Sequence, residues 1–395
     1  MKLTKEEYKK MKDRAILNFG KADYRLFFSP SRINIIGEHI DYNGGNVLPC
    51  AIEIGTYALV KPAVRDVIRL RSYNAQYYKE VLIGSEFNPN NKWINYTLGM
   101  INAISESGYE VGGLEGIIYG NIPTGAGLSS SASLEILIGK IINDLYNNSE
   151  ISMKDLAVLG MKTENDFIGL NSGIMDQFAI AMGSSGSAIL LKTGTLDYEY
   201  VDADLGDSVL VILNTNKGRR LVDSKYNERR AECESALVKL KPKFEIENLC
   251  DLTEENLEDA LSVLDLENER RRVRHAVTEN ARVQKAIEAI KNSNMEALGN
   301  LLNESHYSLK YDYEVTGDHL DAITAAARKA GAFGARMTGA GFGGCGIALV
   351  KKDELDEFKK TAGRLYKEET GLEVDFYETV IGSGPCELEV ERWEY

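Results

Sequence analysis

Between Ser29 and Gly45 the sequence reads SPSRINIIGEHIDYNGG. Arg32, Asn34, Glu38, His39 and Asp41 fall within ten positions of one another, interleaved with Ile33, Ile35 and Ile36 and broken by Gly37. These side chains can accept and donate many hydrogen bonds at once. The segment is therefore either a polar turn or one wall of a binding site.

Two further stretches can do chemistry through their backbone. GNIPTGAGLSSSASLE, residues 120–135, reads as strand, loop, helix. Gly125 and Gly127 permit unusual torsions and close backbone approach. Ser129, Ser130 and Ser131 stand where the helix begins, able to cap its free N–H groups or to leave them to a ligand. A helix N-terminus suits a phosphate. The spacing nearly fits the phosphate-binding pattern G-x-x-x-x-G-K-[ST], but Ala126 stands where lysine is required. A capped helix after a tight turn fits equally well. MTGAGFGGCG, residues 337–346, matches G-x-G-x-x-G at Gly339, Gly341 and Gly344. A dinucleotide fingerprint needs a helix after the loop, whereas GIALV reads as a strand, so the match is false. That glycine density still requires close backbone approach, to a ligand or to the first loop. In GIMDQF, Asp176 is a lone acid near a helix start, where capping is the usual explanation.

The elements that carry these groups follow from periodicity. FFSPSRINIIG, YALVKPA and VIRLRS have strand character, and the first third reads as strands and turns. SASLEILIGKIINDLYN places Leu134, Leu137, Ile138, Ile141, Ile142 and Leu145 at helical spacing. A second helix is expected from about Met153 to Phe167, and a third over IMDQFAIAMG after a break at GLNSG. GSAILLKTG, LDYEYVDAD and SVLVILNTN read as successive strands. From Tyr226 to about Ala330 the chain is helical and charged, with LCDLTEENLEDALSVL and EALGNLLNESHYSL as helices. The basic cluster ERRRVRHAV, residues 269–277, reads as a solvated helix face. The Gly-rich loop at 337–346 then leads into a strand, a helix (ELDEFKKTAGRLYKEE) and a strand (EVDFYETV). Strands and helices are segregated as much as alternated, which favours α+β.

A chain of 395 residues exceeds the ~250–300 at which single cores stop growing, so two domains are expected. The boundary falls near MGSSGS, giving domains 1–185 and 186–395, the last residues being free to pack back on the first. Net charge of −14, from 46 basic and 60 acidic residues, disfavours nucleic acid as a partner. Nothing is long and apolar enough to span a membrane. The start is charged throughout, without the apolar region of a secretory signal, so a cytoplasmic location is expected. Five scattered cysteines without CxxC argue for free thiols, and four unpaired histidines give a structural zinc site little support.

SRINIIGEHIDYNGG, PTGAGLSSSASLE and MTGAGFGGCG together, in this order and at these separations, resemble the three motifs of galactokinases, members of the GHMP small-molecule kinase family. KWINY at 92–96, GIMDQF at 173–178, NTNKGRRLVDSKYNERR at 214–230 and NESHYSLKYDYEVTGDHLD at 303–321 extend the resemblance over nearly the whole chain. It implies a two-domain α+β GHMP kinase fold with the active site in the cleft between domains. The implied reaction is Mg²⁺-dependent transfer from ATP to the C1 hydroxyl of D-galactose, giving α-D-galactose 1-phosphate and ADP for galactose catabolism. By carry-over, Glu38, His39 and Asp41 bond sugar hydroxyls, with Gly173, Asp176 and Tyr226 also at the sugar. Asp176 faces the reacting hydroxyl, and Arg32 lies near both Asp176 and the transferred phosphoryl group. Asp176 is then either a general base or an orienting group beside a transition state stabilised by Arg32, the loop amides and Mg²⁺. Gly125, Ala126, Gly127, Leu128, Ser129, Ser130 and Ser131 cradle the phosphates, Trp93 and Tyr96 lie near the adenine, and Ser131 and Glu164 hold the metal, since Mg²⁺ keeps several waters. The resemblance implies a monomer acting on small molecules. One departure stands out: galactokinases usually have Gly where this chain has Ser31, and only a small backbone effect is expected. Another sugar 1-kinase, such as an N-acetylgalactosamine kinase, and a non-enzymatic sugar and ATP sensor remain as alternatives.

Overall fold

The computed structural model describes residues 3–75, 77–123, 125–218 and 222–390, the side chains of 222–224 excepted. Residues 219–221 of the segment 214–230 thus lie outside the described residues. The strands are Arg25–Asn34 (β1), Asn46–Val47 (β2), Pro49–Pro62 (β3), Val67–Ser72 (β4), Tyr78–Leu82 (β5), Leu114–Gly120 (β6), Ser187–Lys192 (β7), Asp197–Asp202 (β8), Ser208–Asn214 (β9), Gly334–Met337 (β10), Cys345–Lys351 (β11), Asp375–Glu378 (β12) and Cys386–Leu388 (β13). The helices are Lys5–Phe19 (α1), Ile94–Glu106 (α2), Ser130–Tyr146 (α3), Met153–Lys162 (α4), Met175–Ala181 (α5), Val222–Phe244 (α6), Leu257–Val263 (α7), Glu267–Lys291 (α8), Met295–Tyr311 (α9), Asp318–Lys329 (α10) and Leu355–Thr370 (α11).

Among the described residues three sheets form, in the orders β13-β1-β3-β6-β4-β5, β10-β11-β9-β12 and β2-β7-β8. Every pairing is antiparallel except β4 with β6. This is the α+β arrangement that segregated strands and helices imply. β13 returns from the C-terminal end to the edge of the first sheet, Phe28 opposite Cys386. One core fills the space between the first sheet and α2 and α3, while α10 and α11 cover the second sheet with another. A third and larger core joins Ile33, Ile35 and Ile36 to Val273, Ala276 and Val283 of α8. All three isoleucines are fully buried. Their burial contributes roughly 5–9 kcal/mol of gross transfer free energy to fixing the segment that bears Arg32 and Glu38.

Several expectations need correcting. The first third is not only strands and turns. α1 begins at a capping box, Thr4 with Glu7, and buries Tyr8, Met11 and Ala15 on one face. α2 lies between β5 and β6. The helix expected at 249–264 is broken into a 3-10 turn, Leu249–Asp251, and α7. A strand, β10, precedes the second glycine loop, so that loop joins two antiparallel partners. The basic cluster is only half solvated. Arg271 and Arg274 are half-buried, while Arg272 and His275 are buried. Glu232 of α6 and Glu314 pair with Arg272 at 2.6 and 2.8 Å, so acids distant in sequence neutralise a charge that local periodicity turns inward. All five cysteines are free thiols.

Candidate active site

β1 ends at Asn34 and hands the chain to a tight turn, which a short 3-10 helix, Asp41–Asn43, closes. Facing it are the loop before α3, the N-terminus of α5, the start of α6 and the loop after β10. Together they line a cleft of about 330 Å³, within the range of small-molecule sites.

At its base Arg32 is almost wholly buried and forks onto Asp176, Nε to Oδ1 at 2.7 Å and Nη2 to Oδ2 at 2.9 Å. Such bidentate pairing fixes both planes. Burial alone would lower the Arg32 pKa, but the charges of Asp176 and Glu38 outweigh it and raise it. Asp176 sits in the first turn of α5, yet its carboxylate pairs with Arg32 in place of capping the helix. Ser129 donates its hydroxyl to the same carboxylate. As N-cap of α3, Ser129 therefore makes no side-chain cap, and the helix's first N–H groups are left for a ligand. Gly125, Gly127 and Ser129 all take left-handed torsions, with φ of 73°, 71° and 52°. Ser31 contributes a bond that the sequence did not suggest: its buried hydroxyl donates to the Leu128 carbonyl of this loop.

Ser131 and Glu164 meet, Oγ to Oε1 at 3.0 Å, and Ser172 donates to Glu164 Oε2 at 2.6 Å. Glu164 lies on a π-helical turn, Thr163–Ile168, that continues α4, a distortion common at functional sites. Burial first, and then the Asp176 charge, raise its pKa. Among the described residues no cluster of three or more His, Cys, Asp or Glu could hold a metal alone. Two adjoining hard oxygens at the mouth of a phosphate-type loop fit Mg²⁺, which takes its remaining ligands from phosphate and water.

In the 38–41 segment, His39 adopts the left-handed region at φ 61°. Its Nε2 faces the Ala340 carbonyl at 3.3 Å, which can only accept, so Nε2 carries the proton. Nδ1 then accepts from the Tyr42 hydroxyl at 2.8 Å, and the chain continues to Tyr313 at 2.9 Å and Cys233 at 3.1 Å. Burial, with His275 nearby, pushes His39 down to about 3, so the ring is neutral. Glu38 accepts from Gly339 N–H (2.6 Å) and Arg336 Nη2 (3.3 Å) on one oxygen and from Asn34 Nδ2 (2.9 Å) on the other. The backbone N–H groups of Met175 and Tyr42 favour the charged form of Asp41. Burial, then the charges of Asp176 and Glu38, raise it to about 7. Gly173 packs so closely on Asp41 that a Cβ there would lie 1.9 Å from Oδ2. Tyr226 lies across the cleft, its ring 5.6 Å from that of His39.

Thus Arg32, Glu38, His39, Asp41, Tyr96, Gly125 to Ser131, Gly173, Asp176 and Tyr226 all line one cleft. Glu164 stands immediately behind Ser131 and Ser172. Trp93 is not in the lining and instead packs at a tilt against Tyr77, ring centroids 6.0 Å apart. The second glycine loop answers the question its composition raised: it closes on both other motifs. Gly339 bonds Glu38, and a Cβ on it would lie 2.8 Å from the Gly127 carbonyl. Strand β11 follows, as expected, and not a helix. Arg336 and Ser172 escaped the sequence reading, as did the bonds of Asn34 to Glu38 and of Ser129 to Asp176. Arg336 could have signalled itself only as a charge in the otherwise buried run of β10.

The chain matches three family models: the galactokinase galactose-binding signature over residues 17–62, the GHMP kinase N-terminal domain over 95–200 and the GHMP kinase C-terminal domain over 286–368. It is 48% identical to a galactokinase of Ligilactobacillus salivarius over 93% of this chain and 96% of that one. It is likewise 48% identical to a galactokinase of Clostridium perfringens over 97% and 100%. Among solved structures, Lactococcus lactis galactokinase complexed with galactose superimposes with a TM-score of 0.92 at 45% identity, over 95% of this chain and 98% of that one. The Methanococcus jannaschii mevalonate kinase, at 22% identity and a TM-score of 0.66 over 92% and 100%, shares the fold. With near-complete coverage at these identities and all three motifs meeting in one cleft, the chain belongs to the galactokinase family of GHMP kinases.

Proposed function

We propose that this chain transfers the γ-phosphoryl group of ATP to the C1 hydroxyl of D-galactose, giving α-D-galactose 1-phosphate and ADP. Membership of the family makes it an ATP-dependent sugar kinase. The observation that carries the reading is the Arg32–Asp176 fork. It sits between a phosphate-type loop on one side and the Glu38–Asp41 wall on the other.

In this reading Asp41 and Glu38 accept sugar hydroxyls. Glu38 Oε2 has one bond and so a lone pair to spare. His39 offers its Nε2–H, now spent on a long contact to Ala340. A site built this way rejects sugars that lack the matching hydroxyls, because its buried groups would be left unpaired. Gly173 and Tyr226 complete the sugar side. The amides from Gly125 to Ser131 take the phosphates, and Tyr96, from the mouth of the cleft, reaches the adenine. Trp93 acts there through its packing against Tyr77. Ser131 and Glu164 would hold Mg²⁺, which neutralises phosphate charge when bound.

Three donor groups already fix Asp176 in place. That supports its acting chiefly as a positioned acceptor for the C1 hydroxyl, with Arg32 stabilising charge on the transferred group. Phosphoryl transfer depends mainly on such positioning and charge stabilisation. The domains proposed are 1–185 and 186–395, with β13 lying on the first domain's sheet. A monomer working in the cytoplasm completes the proposal.

The test is coupled ADP detection over galactose, N-acetylgalactosamine, arabinose and galacturonate, with and without Mg²⁺. Galactose should give the highest kcat/KM, and Asp176→Ala should abolish turnover. Near wild-type turnover in Asp176→Ala would remove the site assignment, and a preference for N-acetylgalactosamine would move the substrate. Binding of both ligands without ADP release would make the chain a sensor.

A further inference from the structure

The turn that carries Glu38 is held by its backbone, and the groups that hold it come from the far half of the chain. Gly37 N–H and Glu38 N–H both donate to Glu279 Oε1, at 3.0 and 3.3 Å. The Glu38 carbonyl accepts from His275 Nε2 at 2.9 Å. The carbonyls of Asn34 and Ile35 accept from Arg336, Nη2 at 2.5 Å and Nε at 2.9 Å. Glu279, His275 and Arg336 are all fully buried. Each is matched to the backbone group it meets, a carboxylate to N–H and cationic or N–H groups to C=O. The match extends outward: Ser305 donates to Glu279 Oε1 at 2.7 Å, and Arg282 pairs with Oε2 at 2.8 Å.

We propose that Glu279, His275 and Arg336 are positioning residues for the sugar. They act through the backbone of residues 34–38 to set where Glu38 and His39 stand, so the sugar affinity of the first motif is written partly in α8 and β10. The inference rests on the sugar-kinase reading of the same cleft. Burying a charged group in an apolar core is costly unless it is fully paired. An apolar core residue would suffice to fill the space between α8 and the turn. What apolar residues cannot do is satisfy two N–H and three C=O groups at the end of β1 and in the turn beyond it. Burial alone would raise the Glu279 carboxyl, but Arg282, His275 and Arg336 hold it at about 2. It is therefore a carboxylate, an acceptor only, at any pH where the enzyme would work.

The experiment compares steady-state KM for sugar and for ATP, using the hexose that wild type turns over fastest. The variants are Glu279→Ala, Glu279→Gln and His275→Phe, with Ile287→Ala as a destabilised control on the same helix, and thermal stability is measured in parallel. Glu279→Ala should raise the sugar KM tenfold or more, about 1.4 kcal/mol, with the ATP KM within about twofold. Glu279→Gln keeps an oxygen for the two N–H groups and should recover most of the sugar affinity. Ile287→Ala should lower stability without splitting the two KM values. If Glu279→Ala does not fold, His275→Phe keeps an aromatic ring at the site and removes the bonds to the Glu38 carbonyl and to Ser308 Oγ; it should show the same split. Equal changes in both KM values, or a sugar KM that stays put, would overturn the proposal. A wild type that turns over no sugar would instead overturn the sugar-kinase reading beneath it.

Discussion

Ser31 is where this chain parts from its family's usual glycine, and it offers a sharp test of how the phosphate loop is held. The hydroxyl is fully buried and donates to the Leu128 carbonyl. It lies on β1 where the pairing with β3 shifts register between Pro30 and Ser31. Ser31→Ala removes the donor and keeps the Cβ. The carbonyl then loses one partner in a place water does not reach, at a cost of about 1–3 kcal/mol. Ser31→Gly adds about 0.5–1 kcal/mol for a freer backbone within a strand. At about 2.1 cal/mol/K of unfolding entropy per residue, 395 residues melting as one unit give about 0.8 kcal/mol/K. Ser31→Ala should therefore lower Tm by about 1–4 °C, and Ser31→Gly by a little more. Because the tether reaches the loop and not the sugar wall, ~1 kcal/mol felt at the loop amounts to about fivefold in ATP KM, with the sugar KM unmoved. Differential scanning calorimetry and initial rates at varied ATP read both quantities. An unchanged Tm together with an unchanged ATP KM in Ser31→Ala would refute the tether. A rise in the sugar KM alone would show that Ser31 acts through Arg32, its neighbour in sequence.

Three other outcomes follow from the cleft. Asp41 is held up at about 7 by burial and by Asp176 and Glu38, so below that pH it is a neutral acid and above it a carboxylate that accepts sugar hydroxyls. The sugar KM should fall as pH rises through about 7, and Asp41→Asn should flatten the profile; an unchanged profile in that variant would assign the titration elsewhere. The same shift has a stability sign: the fold favours protonated Asp41, so this group's contribution is present at low pH and is lost as pH rises from its unfolded value towards 7. Gly173→Ala would drive a methyl into Asp41 and should raise the sugar KM far more than the ATP KM, a split that equal changes in both would contradict. Glu164→Gln keeps the bonds to Ser131 and Ser172 feasible and removes the charge, so the Mg²⁺ concentration for half-maximal rate should rise tenfold or more, about 1.4 kcal/mol, with Tm little changed. Titration of Mg²⁺ at fixed ATP checks it, and an unmoved midpoint would take Glu164 out of the metal site.

Much of the cleft was legible in the sequence because its groups are local. Arg32 at the end of β1 and Glu38, His39 and Asp41 in the turn after it share one short segment, and Ser129 to Ser131 share one helix start, so spacing alone places each set together. α3 declared itself by its apolar period, and α1 could have done so through the Thr4–Glu7 capping box. What stayed hidden has partners far away in the chain. Glu279 reaches Gly37 across 242 positions and Arg336 reaches Asn34 across 302. Periodicity gives the buried face of α8, since Arg272, Ala276, Glu279, Val283 and Ala286 recur at helical intervals. It does not say what a polar residue on that face will meet. The error over the basic cluster has the same root: Arg272 is neutralised by Glu232 and Glu314, which no local pattern places beside it.

The polarity of the first motif and the glycines of the other two solve one steric and electrostatic problem. A cleft that must bring a sugar hydroxyl to a phosphate needs two backbone loops close together, and side chains between them would hold them apart. Glycine at 339 lets the second loop rest against the Gly127 carbonyl and turn its N–H onto Glu38. That contact links the phosphate loop to the sugar wall without a side chain in between. The price is a set of backbone groups taken out of water and out of regular structure. Buried groups of this kind must be paired, and the partners present are Glu279, His275, Arg336 and Ser31. These buried polar residues around the cleft therefore follow from the irregular backbone that they pair. A sequence in which three such motifs converge should carry, elsewhere in the chain, charged residues on helix faces that otherwise read as core.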